Sequence, residues 1–253
     1  MALSLDLNKA AAKLSLDLTK KGVDMTQISA EVSFCLDVSG SYQDEQEDGS
    51  TQKLLERLVP WSMVLDPDKQ MDVFTFSNGE ENAHHAGMIT PQTVDGFIRR
   101  SVIGRVPEYG GGTDYSYVLE KNLRHFGWLP KASSEAPKKG MFGGLFGGSK
   151  PASQVAVAKR RSLVIFNTDG ENNDKSRVTR VLEESERRSD LVYFLFIAYA
   201  NGGGKFPFLQ EIGDRFSNTG LVVINDINRW CAQPDDVINE QLIGEELVAW
   251  LKK

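Results

Sequence analysis

Short runs of apolar residues alternate with amphipathic segments along most of the chain after Gly22. The apolar runs are rich in Val, Ile, Leu and Phe and carry few charges, a pattern typical of strands that are buried on both faces. We therefore predict strands at residues 28–36, 71–77, 162–168, 191–198 and 221–224.

The segments between these runs place apolar residues three and four positions apart, which is the spacing of one face of a helix. Helices are predicted at residues 52–65, 93–100, 115–126, 176–189, 207–217 and 235–253. Strands that alternate with helices are typical of a doubly wound α/β fold, in which a mostly parallel sheet is covered by helices on both faces. The sequence predicts one such domain over residues 23–253.

The first 22 residues have a different pattern, an internal repeat. The segment LSLDLNK at residues 3–9 returns as LSLDLTK at residues 14–20. Each copy alternates apolar and polar residues, which is the period of a strand with one buried face. We predict an antiparallel β-hairpin over residues 1–22, packed on the edge of the main sheet. An extended arm that adds a strand to a partner's sheet is the alternative.

Residues 131–158 interrupt the alternation of strands and helices. The segment is rich in Gly, Ser, Pro and Lys and has neither a helical nor a strand period. A long run of this kind inside a compact domain is typical of a surface insertion, and we expect a flexible one here. Residues 138–150, which place lysines around the sequence MFGGLFGG, are the candidate contact with a membrane surface or a partner.

Composition and charge narrow the functional classes. The 253 residues are 40% hydrophobic and 25% charged, which excludes disorder across the whole chain. The net charge of −6 argues against nucleic-acid binding as the main activity. The two cysteines lack CxxC spacing and exclude a disulfide framework or a thiolate zinc site. The longest apolar stretch has ten residues, about half of what a membrane helix needs, and no secretory signal opens the chain, so we expect a cytoplasmic protein.

Polar residues that can bind a metal lie in three predicted loops. The sequence DVSGS at residues 37–41 follows the first strand, and DGE at residues 169–171 follows the strand at 162–168. Between them in the chain, GGGTD at residues 110–114 comes immediately before a helix. In a doubly wound sheet, the loops beyond the carboxyl ends of the strands open on one edge. We therefore expect the three loops to meet there.

The three loops would bring together two carboxylates and three hydroxyl groups, without an imidazole or a thiolate. The candidate metal ligands are Asp37, Ser39, Ser41, Thr113 and Asp169. Such a donor set favours a hard divalent cation, Mg²⁺ first and Mn²⁺ or Ca²⁺ after it. Asp114, Glu171 and Gly40 are candidates for the layer around the ligands, where Gly40 permits a tight turn between the two serines.

At this point the sequence resembles a known family. The D-x-S-x-S loop, the later threonine and the TDG at residues 168–170 resemble the metal-ion-dependent adhesion site of the von Willebrand factor A domain. More narrowly, the chain resembles the A domains of bacterial tellurium-resistance proteins, in the stretches CLDVSGSY, LLERLVPWSMVLD, MDVFTFS, GGGTDYSYVL and VIFNTDGENND. The repeated LSLDLxK opening is also similar to the start of proteins of that group. The resemblance covers roughly residues 28–230 and all five candidate ligands.

The resemblance implies a protein-binding module and not an enzyme. In such domains the serines and the threonine contact a Mg²⁺-type cation, and an Asp or Glu carboxylate of a partner protein binds to it. The resemblance also implies service in a tellurium-resistance or chemical-stress system. The residues leave two alternatives open: an enzyme that uses the cation for hydrolysis or phosphoryl transfer, and a structural subunit with a vestigial site.

Overall fold

The structure, a computed structural model, describes residues 2–130, 159–170, 172–200 and 203–253, with side chains from residue 6 onward. The predicted insertion at 131–158, its candidate contact segment 138–150 and Glu171 lie outside the described residues. The strands are β1 (Glu31–Asp37), β2 (Met71–Phe76), β3 (His84–Ile89), β4 (Ser162–Thr168), β5 (Val192–Tyr199) and β6 (Thr219–Ile224). The helices are α1 (Ala2–Lys20), α2 (Gln43–Glu47), α3 (Ser50–Leu65), α4 (Phe97–Ser101), α5 (Ser116–His125), α6 (Lys175–Arg187), α7 (Pro207–Arg215), α8 (Ile227–Cys231), α9 (Asp235–Leu242) and α10 (Glu245–Leu251).

The strands form one six-stranded sheet in the order β3-β2-β1-β4-β5-β6. β1 pairs in parallel with both β2 and β4, and only β3, at the edge, runs antiparallel to its neighbour among these strands. The chain moves outward from β1 to β2 and β3 and then returns to the other side of β1 at β4, so the strand order reverses between β1 and β4. Ligands of doubly wound sheets bind beyond the carboxyl ends of the strands at such a reversal. The predicted doubly wound α/β fold is confirmed.

Strand β1 is anchored from both faces of the sheet. Val32, Phe34 and Leu36 pack into an apolar layer that includes α1, α3, α9 and α10, whereas Cys35 packs into the layer formed with α5, α6 and α7. None of these four side chains is more than 1% exposed. A fully buried aliphatic or aromatic side chain stabilises the fold by about 1.5–3 kcal/mol, so this packing holds the end of β1 in a fixed place.

The predicted N-terminal hairpin is wrong, because residues Ala2–Lys20 form helix α1. The repeat has a period of 11 residues, which is three helical turns at about 3.67 residues each, so equivalent residues of the two copies lie on one helix face. Leu7, Leu14 and Leu18 are buried in the core, where α1 packs against α3 and α9. Leu16, which a strand would place on the same face as Leu14, is 51% exposed. Because this segment is helical, the alternative of an extended arm that adds a strand to a partner's sheet is also wrong.

The C-terminal helix and the edge strand also differ from the sequence prediction, and the short helices α2 and α8 were not predicted. The helix predicted at 235–253 is divided into α9 and α10, because the backbone at Gly244 is extended (ψ 165°). The edge strand β3 was not predicted, since its sequence HHAGMI contains only two large apolar residues and no apolar run. Within the described residues, no helix combines the length and the apolar character needed to cross a bilayer.

The two leucines of the second repeat test the helix directly. Leu14→Ala should lower the free energy of unfolding by about 2–5 kcal/mol, since it removes a side chain that is 1% exposed in the core. Leu16→Ala, the matched control, should change it by less than about 0.5 kcal/mol, because its side chain faces solvent. Chemical denaturation measures both. Equal losses would indicate that the two leucines share one buried face, as in a strand.

Candidate functional site

The carboxylate of Asp37 lies at the carboxyl end of β1 and is fully buried. Its Oδ1 accepts a hydrogen bond from the backbone N–H of Ser39 (2.8 Å), and its Oδ2 accepts one from the hydroxyl of Thr168 at the end of β4 (2.6 Å). The side chain of Gln46 in α2 donates to the Asp37 carbonyl (2.8 Å). Three separate elements therefore fix the carboxylate and the backbone that carries it.

A chain of hydroxyl groups connects the loop after β1 to the loop after β4. The Oγ atoms of Ser39 and Ser41 are 3.2 Å apart, and the Ser41 hydroxyl donates to Asp169 Oδ1 (2.9 Å). Together with Asp37, which accepts from the Ser39 backbone, these residues form one hydrogen-bonded group. The structure thus brings together four of the five residues that the sequence singled out as metal ligands.

The two carboxylates have no cationic partner among the residues that the structure describes. In the described ranges, no lysine, arginine or histidine forms an ion pair with Asp37 or Asp169. Burial raises the pKa of Asp37 to about 7, although the hydrogen bonds from Ser39 and Thr168 act to lower it. Burial also raises the pKa of Asp169, and the hydrogen bond from Ser41 opposes the change. A buried negative charge is costly unless a cation or a metal compensates for it.

Thr113 reaches the same edge through backbone contacts of its loop. Gly110 N–H donates to the Val38 carbonyl (2.7 Å), and Gly40 N–H donates to the Gly111 carbonyl (2.9 Å). A side chain at Gly40 would place its Cβ 3.1 Å from the Gly110 carbonyl oxygen, so the close approach of the two loops favours a glycine there. Thr113 itself is 8% exposed, and its hydroxyl makes no hydrogen bond within the part of the chain that the structure describes.

Of the residues predicted to surround the ligands, Asp114 has a structural contact. Its Oδ2 accepts from the Gly79 N–H (2.9 Å), and its own N–H donates to the Ser77 carbonyl (3.2 Å). Asp114 therefore attaches the Thr113 loop to the segment that follows β2. Glu171, the other acidic candidate, is not among the described residues.

Several residues around the site were not predicted as functional. The Tyr115 hydroxyl donates to Thr168 Oγ1 (3.1 Å) and also contacts the Gly170 carbonyl. Asn78 Oδ1 accepts from the Gly112 N–H (2.8 Å), and Asn173 and Asp174 bind the backbone on the other side of Thr113. Asn173 and Asp174 belong to the stretch VIFNTDGENND, but spacing alone assigns no role to an amide or a hydroxyl side chain.

The donor set fits a hard divalent cation. Two carboxylates and serine hydroxyls are all oxygen donors, and Mg²⁺, Mn²⁺ and Ca²⁺ favour oxygen. No three His, Cys, Asp or Glu residues of the described segments are grouped so that they could hold a metal by themselves. A cation at this edge would therefore depend on the hydroxyl groups as well as on Asp37 and Asp169.

The histidines lie away from this edge. His85 Nε2 is 2.7 Å from Asp72 Oδ1, and His125 Nε2 is 3.0 Å from Asp72 Oδ2, near the amino end of β2. Burial alone would raise the pKa of Asp72, but the hydrogen bonds from His125 and His85 outweigh it and hold the pKa well below its usual value. Because β1 and β2 are parallel, this cluster is at the opposite end of the sheet from Asp37.

Comparison with known proteins shows which families and structures the chain is similar to. Residues 29–135 match the family described as vWA-TerF-like, the vWA domain found in the TerF C terminus. Over 256 aligned residues the chain is 24% identical to the uncharacterized protein YcbR of Bacillus subtilis (strain 168), which covers 99% of this chain and 87% of YcbR.

Solved structures show the same fold. Proximal thread matrix protein 1 from the mussel byssus is 17% identical, with a TM-score of 0.52 over 85% of this chain and 47% of its own, so the chain spans about half of that protein. The manganese-loaded TRAP protein of Plasmodium vivax is 17% identical, with a TM-score of 0.50 over 87% of this chain and 73% of its own. At these identities the likeness concerns the fold alone. The resemblance seen in the sequence is confirmed by the family match, since residues 29–135 are similar to the vWA domain found at the TerF C terminus.

Proposed function

We propose that the protein is a metal-dependent protein-binding module. Asp37, Ser39, Ser41, Thr113 and Asp169 hold a Mg²⁺-type cation, and an Asp or Glu carboxylate of a partner protein binds to that cation. The observation that carries the proposal is the pair formed by the buried Asp37 and the half-buried Asp169, which Ser39 and Ser41 connect and no basic side chain of the described residues neutralises.

The number and charge of the donors explain why a partner would be needed. Two carboxylates balance the charge of a divalent cation, whereas neutral hydroxyl groups leave it electrophilic. Mg²⁺ takes about six oxygen ligands, so five protein side chains leave room for an outside oxygen. Ser41 is exposed, which makes this side of the site accessible to a carboxylate from another protein.

The comparisons support the cation and the class of function. The TRAP domain of similar fold is manganese-loaded, and vWA domains generally mediate protein binding. The TerF-type match supports service in a bacterial tellurium-resistance or chemical-stress system, which we propose for the cytoplasm. No nucleic-acid partner is proposed, given the net charge of −6.

We further propose that the protein is not an enzyme. Metal-assisted hydrolysis needs a general base or a metal-bound hydroxide close to the substrate. The hydrogen-bonded groups around Asp37 and Asp169 are hydroxyls, amides and backbone, while His85 and His125 bind Asp72 at the other end of the sheet. Mg²⁺-dependent turnover of p-nitrophenyl phosphate that Asp37→Ala abolishes would contradict this proposal and favour the hydrolase alternative.

The metal site can be tested by thermal unfolding with and without Mg²⁺. Mg²⁺ at 100 times its Kd should stabilise the wild-type protein by about 2.7 kcal/mol, because it binds only the folded state. Asp37→Ala should lose this increment, since the site then lacks one of its two carboxylates.

Asp66→Ala is the matched control. Asp66 is also buried and also accepts backbone N–H groups, from Asp68 (2.8 Å) and Val32 (3.3 Å), but it lies beside the amino end of β1. This variant should keep the full Mg²⁺ increment even if its melting temperature falls. An equal increment for wild type and Asp37→Ala would contradict the assignment of the site.

Partner binding can be tested with the immobilised protein and cell extract in Mg²⁺ or in EDTA. Proteins that bind through the site should be retained in Mg²⁺, released by EDTA and absent from the Asp37→Ala column. Replacement of each Asp or Glu in the captured protein by Asn or Gln should then identify one carboxylate whose loss abolishes binding. Retention that is unchanged in EDTA would show that binding does not use the cation.

A further inference from the structure

The loop after β4 holds the loop that carries Thr113. Asn173 donates two hydrogen bonds to the carbonyl oxygen of Thr113, one from its backbone N–H (3.0 Å) and one from its side-chain Nδ2 (3.1 Å). Both lone pairs of a single carbonyl are thereby occupied. The peptide group that follows the Thr113 side chain is fixed relative to the segment that begins with Asp169.

Asp174 holds the next two residues in the same way. Its Oδ1 accepts from the Tyr115 N–H (3.0 Å) and its Oδ2 from the Ser116 N–H (2.9 Å), while the side chain of Asn172 donates to Oδ1 (2.7 Å). These are N–H groups at the beginning of α5, which have no partner within their own helix. A carboxylate from another loop therefore determines where α5 begins.

The opposite side of the Thr113 loop is held by the segment after β2. Asn78 Oδ1 accepts from the Gly112 N–H (2.8 Å), and the Asp114 N–H donates to the Ser77 carbonyl (3.2 Å). Asn78 also sets the spacing, because a Cβ on Gly111 would lie 2.8 Å from its Oδ1. The backbone on both sides of Thr113 is thus fixed, although its hydroxyl is not hydrogen-bonded to a described residue.

We propose that Asn173 and Asp174 are positioning residues that set Thr113 relative to Asp169 and thereby determine the affinity for the cation without contacting it. The proposal rests on the proposed metal site. Five positions separate Asp169 from Asp174 in the chain, so one loop carries a ligand of the cation and also orients a second ligand on another loop.

The variant Asn173→Asp distinguishes a positioning effect on Thr113 from a direct electrostatic effect on the cation. The substitution adds a negative charge near a cation site, which by electrostatic attraction alone should tighten binding. It also replaces the Nδ2 donor by an oxygen that faces the Thr113 carbonyl oxygen, which should displace Thr113. Asn173 is exposed, so the variant should still fold. Mn²⁺ titration, with the free ion measured by electron paramagnetic resonance, should show a Kd raised about tenfold.

Two further variants establish that Asn173 acts through Thr113. Asn173→Gln keeps an amide donor and should recover most of the affinity. In a Thr113→Ala background, Asn173→Asp should cause no further loss, because residues that act through one contact are not additive. Additive losses would show that Asn173 affects the cation by another route.

Asp174 has its own matched pair, Asp174→Asn and Asp66→Asn. Both replace a carboxylate that accepts two backbone N–H groups, but only the first should accelerate hydrogen exchange at the Tyr115 and Ser116 amides, and only the first should raise the Kd for Mn²⁺. The exchange measurement requires no metal.

The outcomes distinguish this proposal from the proposed function. If the wild-type protein binds no Mn²⁺, the metal site and the positioning role both fail. If the wild type binds Mn²⁺ and Asn173→Asp binds it equally well or more tightly, only the positioning role is overturned.

Discussion

The structure is organised around a carboxylate that is buried at the end of the central strand. Asp37 is fully enclosed, and an ionised carboxylate is costly in such a place unless hydrogen bonds and a countercharge compensate for it. Ser39 and Thr168 supply the hydrogen bonds. No side chain of the described residues supplies the countercharge, and Asp169 adds repulsion. A folded chain that retains this arrangement without a cation carries a local cost, and a bound cation would remove it.

The topology explains why these groups can meet. β1 and β4 are adjacent and parallel, so their carboxyl ends bring Asp37 and Thr168 together although the chain between them contains β2 and β3. The Tyr115 hydroxyl, which donates to Thr168, adds the beginning of α5 to the same network. The Thr168 hydroxyl accepts a hydrogen bond from Tyr115 and donates one to Asp37, so it fixes these two side chains relative to each other. Each of the three loops that carry the candidate ligands is therefore placed by contacts with the other two.

Much of this arrangement could be predicted from the sequence because it depends on strong, local signals. The buried runs identified five of the strands, and the two carboxylates lie at the end of β1 and directly after β4. The N-terminal prediction failed for an equally physical reason. The alternation of apolar and polar residues within LSLDL is compatible with a strand and with a helix. Only the 11-residue distance between the two copies places Leu7 and Leu18 on one helix face. The edge strand β3 escaped prediction because an edge strand needs no apolar face on its outer side.

The residues that hold the Thr113 loop could not be identified from the spacing of sequence motifs. Asn173 and Asp174 act on a backbone that is about 60 residues away in the chain, and neither their residue types nor their spacing marks them as different from ordinary loop residues. Their proposed importance follows from the hydroxyl of Thr113, which is not hydrogen-bonded to any of the described residues. A candidate ligand whose side chain no described residue holds would be positioned through its backbone, and both flanks of Thr113 are held in that way. Affinity for the cation would then depend on loops that never contact it, which is the usual role of the residues that support a metal site.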